Sequence, residues 1–109
     1  MAFTGVPVVT SMGKRIVKIT GVSLLATASG TITAFGGGGD AVLPATFPTL
    51  DTDETMVDYN ETAASVLATQ LAVTKTGTPL ATITFINGNA LLNSADLEIF
   101  IQAPHSIQK

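Results

Sequence analysis

β-branched residues recur along the whole chain, whereas the long polar residues that favour helices are sparse. Thr, Val and Ile side chains suit the pleated surface of a sheet and lose rotational freedom in a helix. Several runs also alternate apolar and polar residues, which is the period of a half-buried strand. The sequence therefore predicts an all-β fold.

The length of the chain limits it to one domain, because 109 residues match the usual size of a single domain. No repeat of fixed period is visible, which argues against a propeller or a solenoid. We expect an antiparallel β-sandwich or a small β-barrel of about six to eight short strands. The predicted organisation is an extended N-terminal arm over residues 1–13, the β-domain over 14–103 and a C-terminal tail over 104–109.

Charged residues are unusually rare. They make up 12% of the chain, whereas 46% of the residues are hydrophobic, and a soluble domain typically carries about 25% charged residues. A free monomer would have to cover its surface with small polar and aliphatic side chains, which is unfavourable for solubility. The composition therefore indicates a subunit that buries part of its surface against partners.

Residues 1–13 combine glycines and a proline with short apolar pieces. This composition favours an extended arm over a packed strand. Such an arm reaches up to about 40 Å, and it could add a strand to the sheet edge of a neighbour. Its apolar side chains are the predicted partner contacts: Phe3, Val6, Pro7, Val8 and Val9.

A hairpin is predicted in the N-terminal half. Residues 14–26 alternate as a strand, with a bulge or bend at Gly21. A tight turn over 28–30 and a second strand over 31–35 follow, so that the two strands pair as neighbours.

The middle of the chain carries few strand signals. The four glycines of residues 36–39 have no side chains to pack, so we expect a flexible loop there. This long loop extends over 36–60 as a surface excursion, with one short strand around 55–59.

Residues 61–70 fit two alternatives. A short helix capped by Asn60 would place their apolar side chains on one side, and a strand from 65 to 75 would turn Leu67, Leu71 and Val73 inward. The strand is favoured because it runs unbroken into the next hairpin.

The C-terminal part predicts three strands in an antiparallel meander. Residues 76–79 have turn chemistry between two strand-like runs. The run over 80–86 alternates, a loop begins at 87–89, and the run over 96–102 alternates again.

Residue types that carry catalysis or hold cofactors are scarce. The chain has no Cys, so neither a disulfide nor a thiolate metal site is available. Its one histidine, His105, lies four residues from the C-terminus, where chains usually fray, and a serine–histidine–acid arrangement would need another residue to orient that ring. We predict no enzymatic activity, no cofactor and no metal site.

Acidic residues concentrate in one segment, residues 51–61. Their carboxylates are the ligands that Ca²⁺ prefers, but no glycine occupies the turn position that an EF-hand loop requires. We favour a solvated acidic loop, and a weak ion site and a docking site for a basic partner stay open as alternatives. The residues are Asp51, Asp53, Glu54, Asp58 and Glu61.

Neither nucleic acid nor membrane is a predicted partner. The five basic residues are scattered and the net charge is −3, whereas phosphate binding needs clustered Lys or Arg. The longest apolar stretch, 16–35, is interrupted by Lys18 and by several Thr, Ser and Gly residues, so no span of about 20 apolar residues exists. Lys18 also splits the run that follows Lys14 and Arg15, which argues against a signal peptide and for synthesis in the cytoplasm.

The segment over residues 1–35 resembles the opening of small virion proteins of tailed bacteriophages. Those proteins share an early strand of the form V-x-I-T-G-x-S-L, followed by a short A-S-G-T-I turn and strand, and this chain carries the two patterns at 17–24 and 28–32. The last strand, with Leu97, is similar in style. The resemblance covers about half of the chain, and its motifs are structural.

The resemblance implies a virion protein on the capsid surface of a phage head. The role would be that of a decoration or cement protein, which binds the major capsid protein on the outside of the head, stabilises it, and forms a homo-oligomer with copies of itself, with a trimer favoured. The alternatives are a head–tail connector or tail structural protein and a free-standing β-sandwich ligand-binding module. The absence of Trp and the 6% aromatic content disfavour the last, which would normally present aromatic platforms.

Overall fold

The computed structural model of the chain describes residues 3–13, 15–25, 27–48, 54–64, 71–77, 79–87 and 94–103. Within these residues, eight strands form two four-stranded sheets, which confirms the predicted all-β, sandwich-like fold. In chain order the strands are β1 (Val8–Ser11), β2 (Ile16–Leu25), β3 (Ser29–Thr33), β4 (Ala41–Val42), β5 (Met56–Ala64), β6 (Ala72–Thr76), β7 (Thr82–Ile86) and β8 (Ser94–Gln102).

The front sheet has the strand order β1-β2-β8-β5, and its neighbours are all antiparallel. Its longest strand, β2, carries the predicted irregularity, since the register with β8 shifts between Ile19 and Val22. Gly21 lies in this shift with a φ of 83°, and a Cβ there would be 2.6 Å from the carbonyl oxygen of Val6. The bulge therefore needs glycine for both its backbone conformation and the close approach of the N-terminal segment.

The back sheet has the strand order β4-β3-β7-β6. The predicted hairpin between β6 and β7 is confirmed, and Thr76 pairs with Thr82 at its closed end. Gly77 adopts a φ of 108° in the turn, a conformation that glycine takes without steric cost.

The core lies between the two sheets and is built from alternate residues of the strands. The alternation predicted for β7 and β8 is confirmed, because every second side chain there is buried. The fully buried side chains with less than 2% exposure include Val17, Ile19, Leu24, Ile32, Ile83, Phe85, Ile99 and Ile101.

Two predicted strand pairings are wrong. The chain turns after Leu25, where the Ala28 N–H donates to the Leu25 carbonyl oxygen, and β3 then joins the back sheet instead of pairing with β2. In the same way β8 leaves the predicted meander and pairs with β2 and β5 in the front sheet. An alternating pattern shows that a strand has a buried face, but both sheets of a sandwich offer such a face.

The glycine-rich run is anchored along β3, which corrects the prediction of a flexible loop. The Gly39 N–H donates to Thr33 Oγ1 at 2.9 Å, and the Asp40 carboxylate accepts from the Thr31 N–H at 2.8 Å. A Cβ at Gly37 would lie 2.6 Å from the Cβ of Thr33. Absent side chains let this run fold back closely enough for β4 to pair parallel with β3.

The predicted surface excursion over 36–60 also contributes to the core. Ala41, Leu43 and Phe47 are buried, and β5 begins inside this range. Apolar residues on both sides of Pro44 are therefore core residues, and the short strand β4 places Ala41 there.

The helix alternative for residues 61–70 is wrong over its first part. Residues 61–64 are the end of β5, and residues 65–70 lie outside the described part of the chain. Two inward residues of the strand alternative are confirmed, since Leu71 is buried and Val73 packs against the core, and the third, Leu67, lies outside the described residues. The predicted tail over 104–109 lies outside the described residues, and so does His105.

Candidate interaction surface

The described part of the N-terminal segment, residues 3–13, belongs to the front sheet. The prediction that residues 1–13 form an extended arm, and not a packed strand, is therefore corrected. β1 pairs with β2 along its whole length, and Thr4 exchanges two backbone hydrogen bonds of 2.8 and 2.9 Å with Ser23. A Cβ at Gly5 would lie 2.2 Å from the carbonyl oxygen of Gly21. Two facing glycines therefore let the segment lie directly on β2.

Phe3 was predicted to contact a partner, but it is a core residue. Its side chain is 8% exposed, and its ring centroid lies 6.2 Å from that of Phe85. A Cβ at Gly30 would come within 2.6 Å of the Phe3 ring. The ring therefore sits on a glycine of β3, and it joins the start of the chain to the back sheet.

The other four predicted contacts divide into two pairs. Val6 and Val8 are 80% and 53% exposed, so they are available to a partner. Pro7 is half-buried, and Val9 is half-buried and packs against the core. The structure thus leaves two of the five predicted side chains at the surface of the edge strand.

A shallow groove of about 470 Å³ lies on the outer face of the front sheet, and the sequence analysis did not predict it. β2, β5 and β8 position its floor, and the exposed Met12 closes one side. Its apolar side chains come from outward positions of strands whose other face is core. The only sequence signal for this groove was the presence of single apolar residues, such as Ile16 and Phe100, at outward positions of the strands.

Polar residues also line this groove, namely Asp58, Asn60 and Gln102. On the same face, Lys18 Nζ lies 3.2 Å from a Glu98 carboxylate oxygen and 5.8 Å from the centroid of the Phe100 ring. The Asn60 side-chain amide donates to Glu98 at 3.5 Å. Opposite charges on β2 and β8 thus compensate each other, and the groove combines its apolar side chains with the exposed carboxylate of Asp58.

A second concavity of about 230 Å³ lies at the end of the back sheet, beside the glycine-rich run. The exposed ring of Phe35 forms part of its wall, and Leu43, Phe47 and Leu80 contribute apolar side chains. No described lining residue is ionisable. This volume is below the roughly 300–1,000 Å³ of usual small-molecule pockets.

The predicted acidic segment is described only in part. Asp51 and Asp53 lie outside the described residues, Glu54 is half-buried, and Asp58 is exposed on β5. Among the described residues, no group of three or more His, Cys, Asp or Glu side chains is placed to hold a metal ion. In the same part of the chain, no helix has the length and apolarity needed to cross a membrane.

The chain was compared with protein-family models, with curated proteins and with solved structures. No family model, curated protein or solved structure matches it. Its function is therefore argued from its own residues.

Proposed function

We propose that the chain is a non-enzymatic structural subunit of a tailed-bacteriophage virion, and that it decorates the outside of the capsid and stabilises it. The observation that carries the proposal is the apolar groove on the outer face of the front sheet. The resemblance of residues 1–35 to small virion proteins supports the assignment to a phage head.

The groove is suited to a protein partner. Contiguous apolar surface on a small domain marks sites of protein association, and the low charge of this chain lowers the cost of removing its surface from water. Met12 and Met56 flank the groove with exposed side chains. Methionine is flexible and adapts to irregular partner surfaces, which suits contact with repeated copies of the major capsid protein.

Co-sedimentation with capsids tests the proposal. The purified chain is mixed with expanded phage heads that lack it, and the pelleted fraction is compared with that of the Met56→Asp variant. Met56 is about half exposed, so the variant should fold normally while it replaces an apolar groove side chain by a second carboxylate beside Asp58. We expect the wild-type chain to pellet with the heads and the variant to lose at least tenfold in affinity.

Thr74→Asp is the matched control, because Thr74 is also exposed on an outer strand but lies on the back sheet. It should bind heads as the wild type does. Equal loss in both variants, or no binding of the wild type to any head, overturns the capsid role. Binding to purified tails or connectors instead of heads would assign the chain to the alternative virion position.

A further inference from the structure

Within the described residues, the two sheets have four edge strands, β1, β5, β4 and β6. An edge strand presents unpaired backbone N–H and C=O groups, which form a template for a strand from another molecule. Natural sheets protect such edges by short strands, by charged side chains and by charges that point inward. The protection of the four edges can therefore be compared strand by strand.

Three of these edges are protected. β4 has only two residues. β6 carries Lys75, which lies opposite the buried Ile83 and donates from its Nζ to the Thr55 carbonyl oxygen at 2.6 Å, so it is an inward-pointing charge on an edge. β5 carries the exposed Asp58, and Glu54 precedes it. A second copy of β5 would bring like charges together.

β1 has four residues and carries no charged side chain of either kind. No charged residue occurs from Phe3 to Gly13, and the exposed side chains along this stretch include Val6, Val8 and Met12. Pro7 precedes the strand and removes one donor, but it leaves the strand itself unblocked. Residues 8–11 thus form an open, uncharged edge with apolar side chains beside it.

The backbone groups that face this open edge can be assigned. The Met12 N–H donates to the Ile16 carbonyl oxygen at 2.8 Å, in the same register in which Thr10 lies opposite Lys18 and Val8 opposite Thr20. Hydrogen-bonded pairs alternate along an antiparallel ladder. Val8 and Thr10 therefore bond to β2, and the N–H and C=O groups of Val9 and Ser11 point outward.

We propose that β1 pairs antiparallel with β1 of a second copy around a two-fold axis, with Val9 opposite Val9 of the other chain. In this register the two Val9 residues exchange two hydrogen bonds. Each Ser11 N–H donates to the carbonyl oxygen of Pro7 in the other copy, so the missing N–H of the proline does not matter. Val6 lies opposite Met12 of the other copy. The front sheets join into one eight-stranded sheet.

The second copy is the favoured occupant because the strand is complementary to itself. A two-fold contact uses the same patch on both chains, and this patch has no charge to repel its copy. The inference rests on the proposed function only insofar as the chain is an assembly subunit; it does not require a capsid. It differs from the trimer that the resemblance implies.

Disulfide trapping tests the contact, because the chain has no cysteine of its own. Val9→Cys would place two thiols on opposed residues of a hydrogen-bonded pair, about 5.5 Å apart at Cα, which lies within the Cα separations that disulfides bridge. Mild oxidation should convert most of the folded Val9→Cys variant into a covalent dimer. Asp58→Cys, on the protected edge β5, is the matched control and should form no covalent dimer, because its thiols do not meet in the β1 contact.

Sedimentation velocity of a second pair of variants removes any dependence on cysteine chemistry. Val8→Lys adds a charge at an exposed position of β1, and Thr74→Lys does so on β6. We expect dimers for the wild type and Thr74→Lys, and a loss of association of at least tenfold for Val8→Lys. A monomeric wild type, a trimer, or equal trapping of Val9→Cys and Asp58→Cys overturns this contact, whereas failure of head binding with an intact dimer overturns only the capsid role.

Discussion

β1 and β5 are the two edges of the same sheet, and both are anchored to the same buried ring. Phe3, which precedes β1, lies 6.2 Å from Phe85 in a tilted arrangement. Tyr59 of β5 lies 5.6 Å from Phe85 in an edge-to-face arrangement. The two edges thus have the same kind of aromatic anchor. They differ in charge, because β5 carries the exposed Asp58 and β1 carries no charged residue.

This difference separates two roles that an edge strand combines. Buried aromatic contacts fix an edge strand in its own sheet. Charged side chains on its exposed side determine whether a strand of another molecule can pair with it. β5 has a further anchor, since the Leu71 N–H donates to the Tyr59 hydroxyl at 2.7 Å, and it carries a carboxylate at Asp58. β1 has the aromatic anchor of Phe3 and the packing of Val9 on the core, but it carries no charge, so it is the edge open to a partner.

Phe85→Ala removes the ring that both edges share, so it should have the largest effect on stability. The side chain is fully buried, and we expect a loss of about 3–5 kcal/mol in the free energy of unfolding. Urea denaturation monitored by circular dichroism measures it. A loss below about 1 kcal/mol would mean that the two edges do not depend on a common anchor.

Phe3→Ala should cost less, about 3 kcal/mol, because the residue lies at the margin of the core. It should also release β1 from β2 and so weaken dimerisation. Thermal unfolding and sedimentation of the same sample separate the two effects. If the variant loses stability but dimerises as the wild type does, β1 stays in place without its aromatic anchor.

Tyr59→Phe keeps the ring contact on Phe85 and removes the hydroxyl that bonds to Leu71. We expect a loss of about 1–2 kcal/mol, the cost of a partly buried N–H left without its acceptor. The oligomeric state should not change, because β5 is not the open edge. A change in the sedimentation coefficient would show that β5 takes part in the contact between copies.

Lys18→Met should have the smallest effect. Its ion pair with Glu98 is partly exposed, with 35% and 27% exposure of the two side chains, so solvent screening limits its contribution to less than about 1 kcal/mol. Unfolding at low and high salt should show that the small difference between variant and wild type shrinks as salt rises. A larger, salt-independent loss would assign Lys18 a packing role over Phe100.

The sequence predicts the strands of this fold better than their partners. The alternation in β2, β7 and β8 identifies buried faces correctly, and Gly21 marks the bulge. The pattern does not say which sheet a strand joins, because β3 and β8 present an apolar face that either sheet of the sandwich can cover.

The candidate site shows the same limit. Gly5 and Gly21 were the sequence signal that the first residues pack on β2. A glycine is equally typical of a flexible arm, however. Only the three-dimensional structure, in which the two glycines lie opposite each other, distinguishes these cases. The groove beside Met56 was not predictable either. It combines side chains from three strands that are far apart in the chain, and the register between them is set by tertiary contacts.

Residue-resolved amide hydrogen exchange along β1 shows whether its outer edge is paired with a second copy. We expect slow exchange at Val9 and Ser11 at concentrations where copies pair, and fast exchange on dilution and in Val8→Lys. Val8 and Thr10, whose amides bond to β2, should stay slow under both conditions. If Val9 and Ser11 exchange fast at every concentration while Val8 and Thr10 stay protected, the edge is open in solution and the claim is contradicted.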